Sequence, residues 1–413
     1  MKMKTSALLL TLIFASFTLW GEDITGDWNG VLKVQGTQLR LVFHLSKSGN
    51  GYSATMDSPD QNAKDIPVTA VKYEHRVLTL SVAGAGLEYE GSLGDDGIIT
   101  GTFRQMGQSF PMNLTRESVE KEEPRRPQDP EKPRPYIEEE ISFENREAGI
   151  RLAGTLTLPR VGGEFPAVVL ISGSGAQNRD EELAGHRPFL VIADYLTRNG
   201  IAVLRFDDRG TAKSSGDFRN ATTADFADDA EAAVQYLLTR KEINRKRIGL
   251  IGHSEGGNIA PMIAARSKEI AFIVLLAGTG IQGNELLLLQ SEAINRASGT
   301  SEEHLQIILS HSRSVYDLAL RTTDPEELQT AVAAHIRELI AAYPAALPSS
   351  MSEEKFISAQ IGALTSPWLM YFLKHNPAED LEKVQCPVLA LNGAKDLQVP
   401  SKVNLEAIRT ALV

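Results

Sequence analysis

The run Gly252-His253-Ser254-Glu255-Gly256 is where the residue types and spacing of this sequence point most directly to chemistry. An apolar segment, 247–251, precedes it, and the small residues Gly257-Asn258-Ile259-Ala260 follow in a helical pattern. A serine set between a strand and a helix sits on a turn too sharp for ordinary backbone angles, and a glycine two residues to either side lets neighbouring backbone close in. Ser254 would project from that turn as a nucleophile, at the amino end of a helix whose dipole favours developing negative charge. The bare pentapeptide arises often by chance; its placement after an apolar strand gives it weight. Adjacent residues on a turn do not readily form a base-to-hydroxyl hydrogen bond, so His253 reads as a pocket wall or structural donor rather than as the base.

Acyl transfer at Ser254 also needs donors for an oxyanion. The backbone N–H of Glu255 supplies one. The loop Ile171-Ser172-Gly173-Ser174-Gly175 closes the apolar segment 167–171 and places Ser174 to supply the second. A glycine-rich loop can instead cradle phosphate, but no Lys-Ser/Thr pair completes this one. Asp396 follows the apolar segment 388–391 in Leu391-Asn392-Gly393-Ala394-Lys395-Asp396, where it would orient and charge-stabilise a histidine; the plainer reading is a surface-turn aspartate. Asp207-Asp208-Arg209-Gly210, followed by Ser214-Ser215-Gly216, closes segment 201–206, and its charges read as braces for the loops around the elbow.

The elements that must hold these residues follow from periodicity. From about residue 137, apolar segments (150–158, 167–171, 201–206, 247–251, 271–276 and 388–391) alternate with amphipathic helical patterns. That alternation predicts an α/β fold with a mostly parallel sheet covered on both faces. Between 276 and 388 it is interrupted by helical patterns at 284–297, 302–320 and 325–343, which predict a cap over the sheet's carboxyl edge at about 281–376. The cap's apolar faces would line an acyl or aryl pocket or pack against one another.

Residues 23–115 read instead as a small all-β accessory domain of about eight short strands, in which Leu39, Leu41, Phe43 and Leu45 share one face at period two. Its Gly26-Asp27-Trp28 opening resembles the start of lipocalin-type barrels, leaving a ligand-holding barrel open beside a structural role. Residues 116–136, with prolines at 124, 127, 130, 133 and 135 among Glu, Lys and Arg, read as a semi-extended linker.

Taken together, the elbow, the Ser-Gly-Ser-Gly loop, the Asp-Asp-Arg-Gly turn and the Asn-Gly-x-x-Asp loop resemble the α/β-hydrolase superfamily over residues 137–413. With the β-rich front domain added, the chain is similar to secreted bacterial EstD-like esterases, whose catalytic domain is also described as serine-aminopeptidase-like. The resemblance implies a carboxylesterase that cleaves small-molecule esters through an acyl-enzyme, with no cofactor and no metal. Ala212 departs from it, standing where such turns carry a second glycine.

The resemblance also implies a catalytic histidine a few tens of residues beyond the acid. All eight histidines, at 44, 75, 186, 253, 304, 311, 335 and 375, precede Asp396. A sequence truncated at the C-terminus is the expectation, with a histidine recruited from the cap or a non-catalytic binding protein as alternatives. His375, just before the last apolar segment, is the least unsuitable substitute, although Asn376-Pro377 marks it as the polar end of a helix. The elbow alone does not separate an esterase from a peptidase or an acyltransferase.

Bulk properties agree with a globular protein. The net charge is −11, from 42 Lys and Arg against 53 Asp and Glu, without a long basic run, which argues against nucleic acid or anionic membrane as partners. Residues 1–21 read as a signal peptide, with Lys2 and Lys4 before a short apolar run, so the protein is expected to be exported to the periplasm or beyond, with no membrane span after signal removal; an uncleaved anchor is the other reading. Cys386 is the single cysteine, so an intramolecular disulfide is impossible, and a buried structural thiol is expected rather than a nucleophile.

Overall fold

The computed structural model describes residues 23–413 except 35–36, 50, 62, 83–85, 106–107, 120–125 and 348–350, so the expected signal peptide lies outside the described residues. The chain divides into two compact units at Glu123/Pro124, inside the proline-rich stretch. The second half of that stretch packs onto the second unit. Arg126 Nη2 donates to the Ala184 carbonyl at 2.6 Å, Asp129 pairs with Arg187, and Tyr136 is buried.

Among the described residues, the first unit holds ten strands where the sequence suggested about eight: β1 (Gly26–Val34), β2 (Thr37–Ser48), β3 (Gly51–Ser58), β4 (Ala63–Val68), β5 (Ala70–Glu74), β6 (Val77–Val82), β7 (Leu87–Leu93), β8 (Ile99–Gln105), β9 (Gln108–Pro111) and β10 (Leu114–Thr115). They form one antiparallel sheet in the order β4-β3-β2-β1-β10-β8-β7-β6-β5, with β9 on β8. Its two end strands are consecutive in the chain, so the sheet curls nearly into a barrel. Residues facing inward at period two, among them Trp28, Phe43, Leu80, Tyr89 and Phe103, fill the interior. At Gly91 and Gly101 a Cβ would come within 2.6 and 2.4 Å of the Tyr89 hydroxyl, so the interior is close-packed there.

The second unit is built on β11 (Ile137–Asn145), β12 (Ile150–Leu158), β13 (Phe165–Ile171), β14 (Ala202–Phe206), β15 (Ile243–His253), β16 (Ile270–Leu276) and β17 (Val388–Leu391). The order is β11-β12-β14-β13-β15-β16-β17. β12 pairs antiparallel with both β11 and β14, and the other pairings are parallel, giving a mixed sheet. Alternate residues of β13 face opposite layers: Ala167, Val169 and Ile171 join the core under α2 (Thr223–Thr239) and α3 (Gly256–Arg266), while Val168 and Leu170 join the core under α1 (Pro188–Arg198). Burial on both faces explains why these strands read as continuous apolar runs.

Between β16 and β17 lie α4 (Gly283–Ala297), α5 (Glu302–Arg321), α6 (Pro325–Ala342), α7 (Glu353–Leu364), α8 (Pro367–Lys374) and α9 (Pro377–Leu381). Residues of α5 to α8 build their own core around Ala319, Leu328, Val332, Ile336, Ile357, Leu364 and Leu373. Leu381 of α9 joins the main core instead, as does Ile408 of α10 (Ser401–Ala411). The amphipathic run near residue 405 is thus a formed helix. Cys386 is half-buried against the main core. Among the described residues β17 is an edge strand, and Leu389 and Leu391 on it are 53% and 50% exposed.

Candidate active site

The carboxyl ends of the parallel strands bring the chemistry-bearing residues to one edge: Ile171 of β13 is in register with Gly252 of β15, His253 with Leu276 of β16, and Leu276 with Leu391 of β17. β15 runs two residues further than the sequence pattern suggested, up to His253, and α3 begins at Gly256. Ser254 between them has φ +51°, a left-handed value that costs a residue with a Cβ about 1–2 kcal/mol. Its N–H donates to the Leu276 carbonyl at 2.9 Å, and the Gly257 N–H donates to the Ser254 carbonyl at 2.9 Å, so the strained turn is clamped from both sides. A Cβ at Gly252 would lie 1.9 Å from the Gly256 carbonyl oxygen, and one at Gly256 would lie 2.2 Å from that of Ile171. Only glycine fits either position.

Facing the elbow is the loop that follows β13. At Gly173 a Cβ would touch both Ser254 Cβ, at 3.2 Å, and His253 Nδ1, at 3.3 Å, so this loop is packed against the serine. The Gly173 N–H is taken: it donates to Glu181 Oε1 at 2.7 Å. Among the described residues, the N–H groups of Ser174 and Glu255 have no hydrogen-bond partner. Glu255 stands at the amino end of α3, where a free donor is what an anion would bind.

The side chain of Glu255 turns inward. Its Oε1 accepts from Thr223 Oγ1 at 2.6 Å and from Trp368 Nε1 on α8 at 2.7 Å. Burial holds its pKa above the ordinary carboxyl value against those two hydrogen bonds. Asp208 is also enclosed; Oδ1 accepts from the Ser172 hydroxyl and Oδ2 from the Gln177 N–H, and burial pushes its pKa up to about 7. The neighbouring Asp207 binds Arg179 through both carboxylate oxygens, and Arg209 binds Asp229 at 2.6 Å. The Asp-Asp-Arg turn therefore braces the loops around the elbow. Ala212, beyond it, adopts φ +48°, the conformation a glycine would take without strain.

Asp396 sits in the loop after β17, where Oδ1 accepts the N–H groups of Gln398 and Val399, each at 2.9 Å. Among the described residues, no histidine hydrogen-bonds to it. His253 lies within its electrostatic reach, but the ring is held by Glu181: Nδ1 is 2.7 Å from Glu181 Oε1. That hydrogen bond raises the His253 pKa above the ordinary imidazole value, burial opposes the rise, and the charges of Glu181 and Asp396 add to it. His375 stacks on Tyr371 and turns Nε2 towards Asp380 at 3.3 Å, so its acidic neighbour is Asp380 and not Asp396. No group of three or more His, Cys, Asp or Glu among the described residues is placed to hold a metal ion, and no helix among them is long and apolar enough to cross a membrane.

Glu181 was not singled out by sequence reasoning. Its signal was present in Arg179-Asp180-Glu181, a charge triplet directly after a glycine-rich loop. Each member has its own distant partner: Asp207 for Arg179, Arg205 for Asp180 at 2.7 Å, and His253 for Glu181.

A strained serine elbow at the carboxyl edge of this sheet defines a serine-hydrolase-like domain of the α/β-hydrolase superfamily. The chain belongs to the X-Pro dipeptidyl-peptidase (S15) family, whose pattern matches residues 148–408. It is 35% identical to esterase EstD of Thermotoga maritima over 141 residues, 34% of this chain and 34% of that protein. Over 137 residues it is 34% identical to the uncharacterised protein PA2218 of Pseudomonas aeruginosa, covering 32% of this chain and 35% of that one. In both cases the match spans about a third of the relative's own length. The crystal structure of the Pseudomonas protein aligns with a TM-score of 0.42 at 20% identity, covering 67% of this chain and 83% of the other.

Proposed function

We propose that this protein is a carboxylesterase-type serine hydrolase that cleaves small-molecule esters through an acyl-enzyme on Ser254. The observation that carries the reading is a strained Ser254 beside two free backbone donors, the N–H groups of Glu255 and Ser174. The hydroxyl oxygen bonds to the ester carbonyl carbon and its proton passes to a base. The two amides take the oxyanion, the alcohol leaves with a proton returned from the base, and water repeats the sequence to release the acid. Asp396 orients the base. Helices from about 281 to 376 cap the site, and residues 1–21 direct export to the periplasm or beyond.

Two observations favour other readings. Membership of the S15 family favours a peptidase. The lack of a histidine on Asp396 among the described residues favours a non-catalytic binding protein, because removing a triad member leaves about 10³ to 10⁴-fold acceleration over water. The test is release of p-nitrophenol from p-nitrophenyl acetate and butyrate by wild type and Ser254→Ala, each with and without added imidazole, with Ala-Pro-p-nitroanilide in parallel. Serine-dependent ester cleavage supports the esterase, and its stimulation by imidazole above the serine-free background locates the deficit at the base. Anilide cleavage in preference to ester would move the reading to a peptidase. Loss of no activity in Ser254→Ala would refute the role of Ser254.

A further inference from the structure

Glu181 and His253 lie beside the proposed nucleophile, yet neither is assigned a step in the chemistry. Glu181 is 6% exposed and has φ +51°, so the fold spends backbone strain to place it. The flanking residues leave it little freedom. Arg179 is fixed on Asp207 by Nε at 3.0 Å and Nη2 at 2.8 Å, and Asp180 is fixed on Arg205. The carboxylate is thus delivered from a stapled loop to one point, where a single oxygen, Oε1, accepts both the Gly173 N–H and His253 Nδ1.

That point matters because the Gly173 and Ser174 amides are consecutive. Fixing the N–H of Gly173 fixes the loop from which the free N–H of Ser174 projects. It also fixes the imidazole through Nδ1, leaving Nε2 without a partner among the described residues on a side chain 44% exposed. The charged groups facing His253 are Glu181 and Asp396, both acidic, and both favour its cationic form.

We propose that Glu181 and His253 form a positioning pair that holds the 172–175 loop in register with the elbow and keeps a positive charge beside the developing oxyanion. The inference rests on the serine-hydrolase reading for its catalytic consequence. Glu181 acts through Gly173 and His253, touching no reacting atom. In its cationic form the His253 ring carries a proton on both nitrogens and has no lone pair to offer, so it supplies field and does not accept the serine proton.

The test compares wild type, Glu181→Gln, Glu181→Ala and His253→Gln in the full chain. Glu181→Gln keeps an oxygen for the Gly173 N–H but removes the charge, while Glu181→Ala removes both. The expected kcat falls are about tenfold for Glu181→Gln and about 10² for Glu181→Ala, the second at the low end of the range for losing one oxyanion donor, with little change in KM. The alkaline limb of the kcat/KM profile should move to lower pH by about one unit in Glu181→Gln, because the imidazole loses its close negative partner. A merely structural Glu181 would lower activity without moving that limb.

Two readouts do not depend on turnover. NMR titration should show the His253 pKa falling in Glu181→Gln, and amide exchange across 172–175 should quicken in Glu181→Ala. Unchanged titration and exchange would overturn the pairing itself. If wild type shows no Ser254-dependent activity while both readouts shift, the hydrolase reading fails and the pair stands. If His253→Gln falls to the Ser254→Ala level and imidazole restores it, His253 is the base and the positioning role is wrong.

Discussion

The tightness of the elbow gives the most quantitative expectation, through three glycine-to-alanine changes that add the same methyl group to different surroundings. At Gly163 a Cβ meets nothing within 4 Å, so Gly163→Ala should leave stability unchanged or raise it by up to about 1 kcal/mol by restricting the unfolded chain. At Gly249 a Cβ would lie 2.4 Å from atoms of the Phe272 ring, a side chain with some freedom to shift, and the cost should be about 1–3 kcal/mol, as for other overpacked cores. At Gly252 the obstacle is the Gly256 carbonyl oxygen at 1.9 Å, and ordinary contact begins near 3.4 Å. Two backbone segments must part by about 1.5 Å inside a buried turn, so Gly252→Ala should cost about 3 kcal/mol or more. Thermal and urea melts measure the series, at about 2–4 °C per kcal/mol for a unit of this size. Labelling of Ser254 by a fluorophosphonate should slow by about 10² in Gly252→Ala, the usual cost of a 1 Å misplacement. A Gly252→Ala protein within 0.5 kcal/mol of wild type would refute the elbow geometry.

Three further expectations follow from buried groups and strain. Trp368→Phe removes one of two donors to the Glu255 carboxyl, whose pKa burial has already raised; the loss should be about 0.5–1.5 kcal/mol while the carboxyl is protonated and grow towards about 1.5–3 as it ionises, read as a gap from wild type that widens with rising pH in a series of urea melts. Because burial keeps Asp208 protonated up to about 7, the folded protein holds a proton there that the unfolded chain releases near 4, so this group lowers stability as pH rises between those values. Asp208→Asn can keep both hydrogen bonds if the Ser172 hydroxyl turns to accept, and it should match wild type at pH 5 and exceed it by about 2–3 kcal/mol at pH 8; equal pH slopes would refute this. Ala212→Gly should stabilise by about 0.5–1 kcal/mol in thermal melts by relieving a left-handed alanine.

What the sequence disclosed depended on whether a residue's role was set by its neighbours in the chain. Gly252, Ser254 and Gly256 were readable because strand, turn and helix adjoin, and the parallel strands were readable because burial on both faces leaves continuous apolar runs. Asp396 was readable as a residue of the loop after a late strand, and its Oδ1 accepts the Gln398 and Val399 amides, the local bonding of the turn aspartate that the sequence also allowed. Glu181 was missed because its partner lies 72 positions away, and Trp368 because a tryptophan in a helical apolar pattern reads as core until its indole N–H is seen on Glu255. The extra strands of the first unit were missed because β9 and β10 span only four and two residues, separated by a short gap that period-two reading merges into one.

The open flank of β17 bears on how the protein behaves in a test tube. Val388-Leu389-Ala390-Leu391 carries no charge and no proline, and among the described residues its outer rim of amides and carbonyls has no strand partner and is flanked by half-exposed leucines. Any extended apolar segment can add there as a further strand, whether from another molecule or from a partly unfolded neighbour. Such addition is bimolecular, so losses on storage should scale with concentration and not with time alone, and a lysine at Leu389 should slow them more than any change in salt.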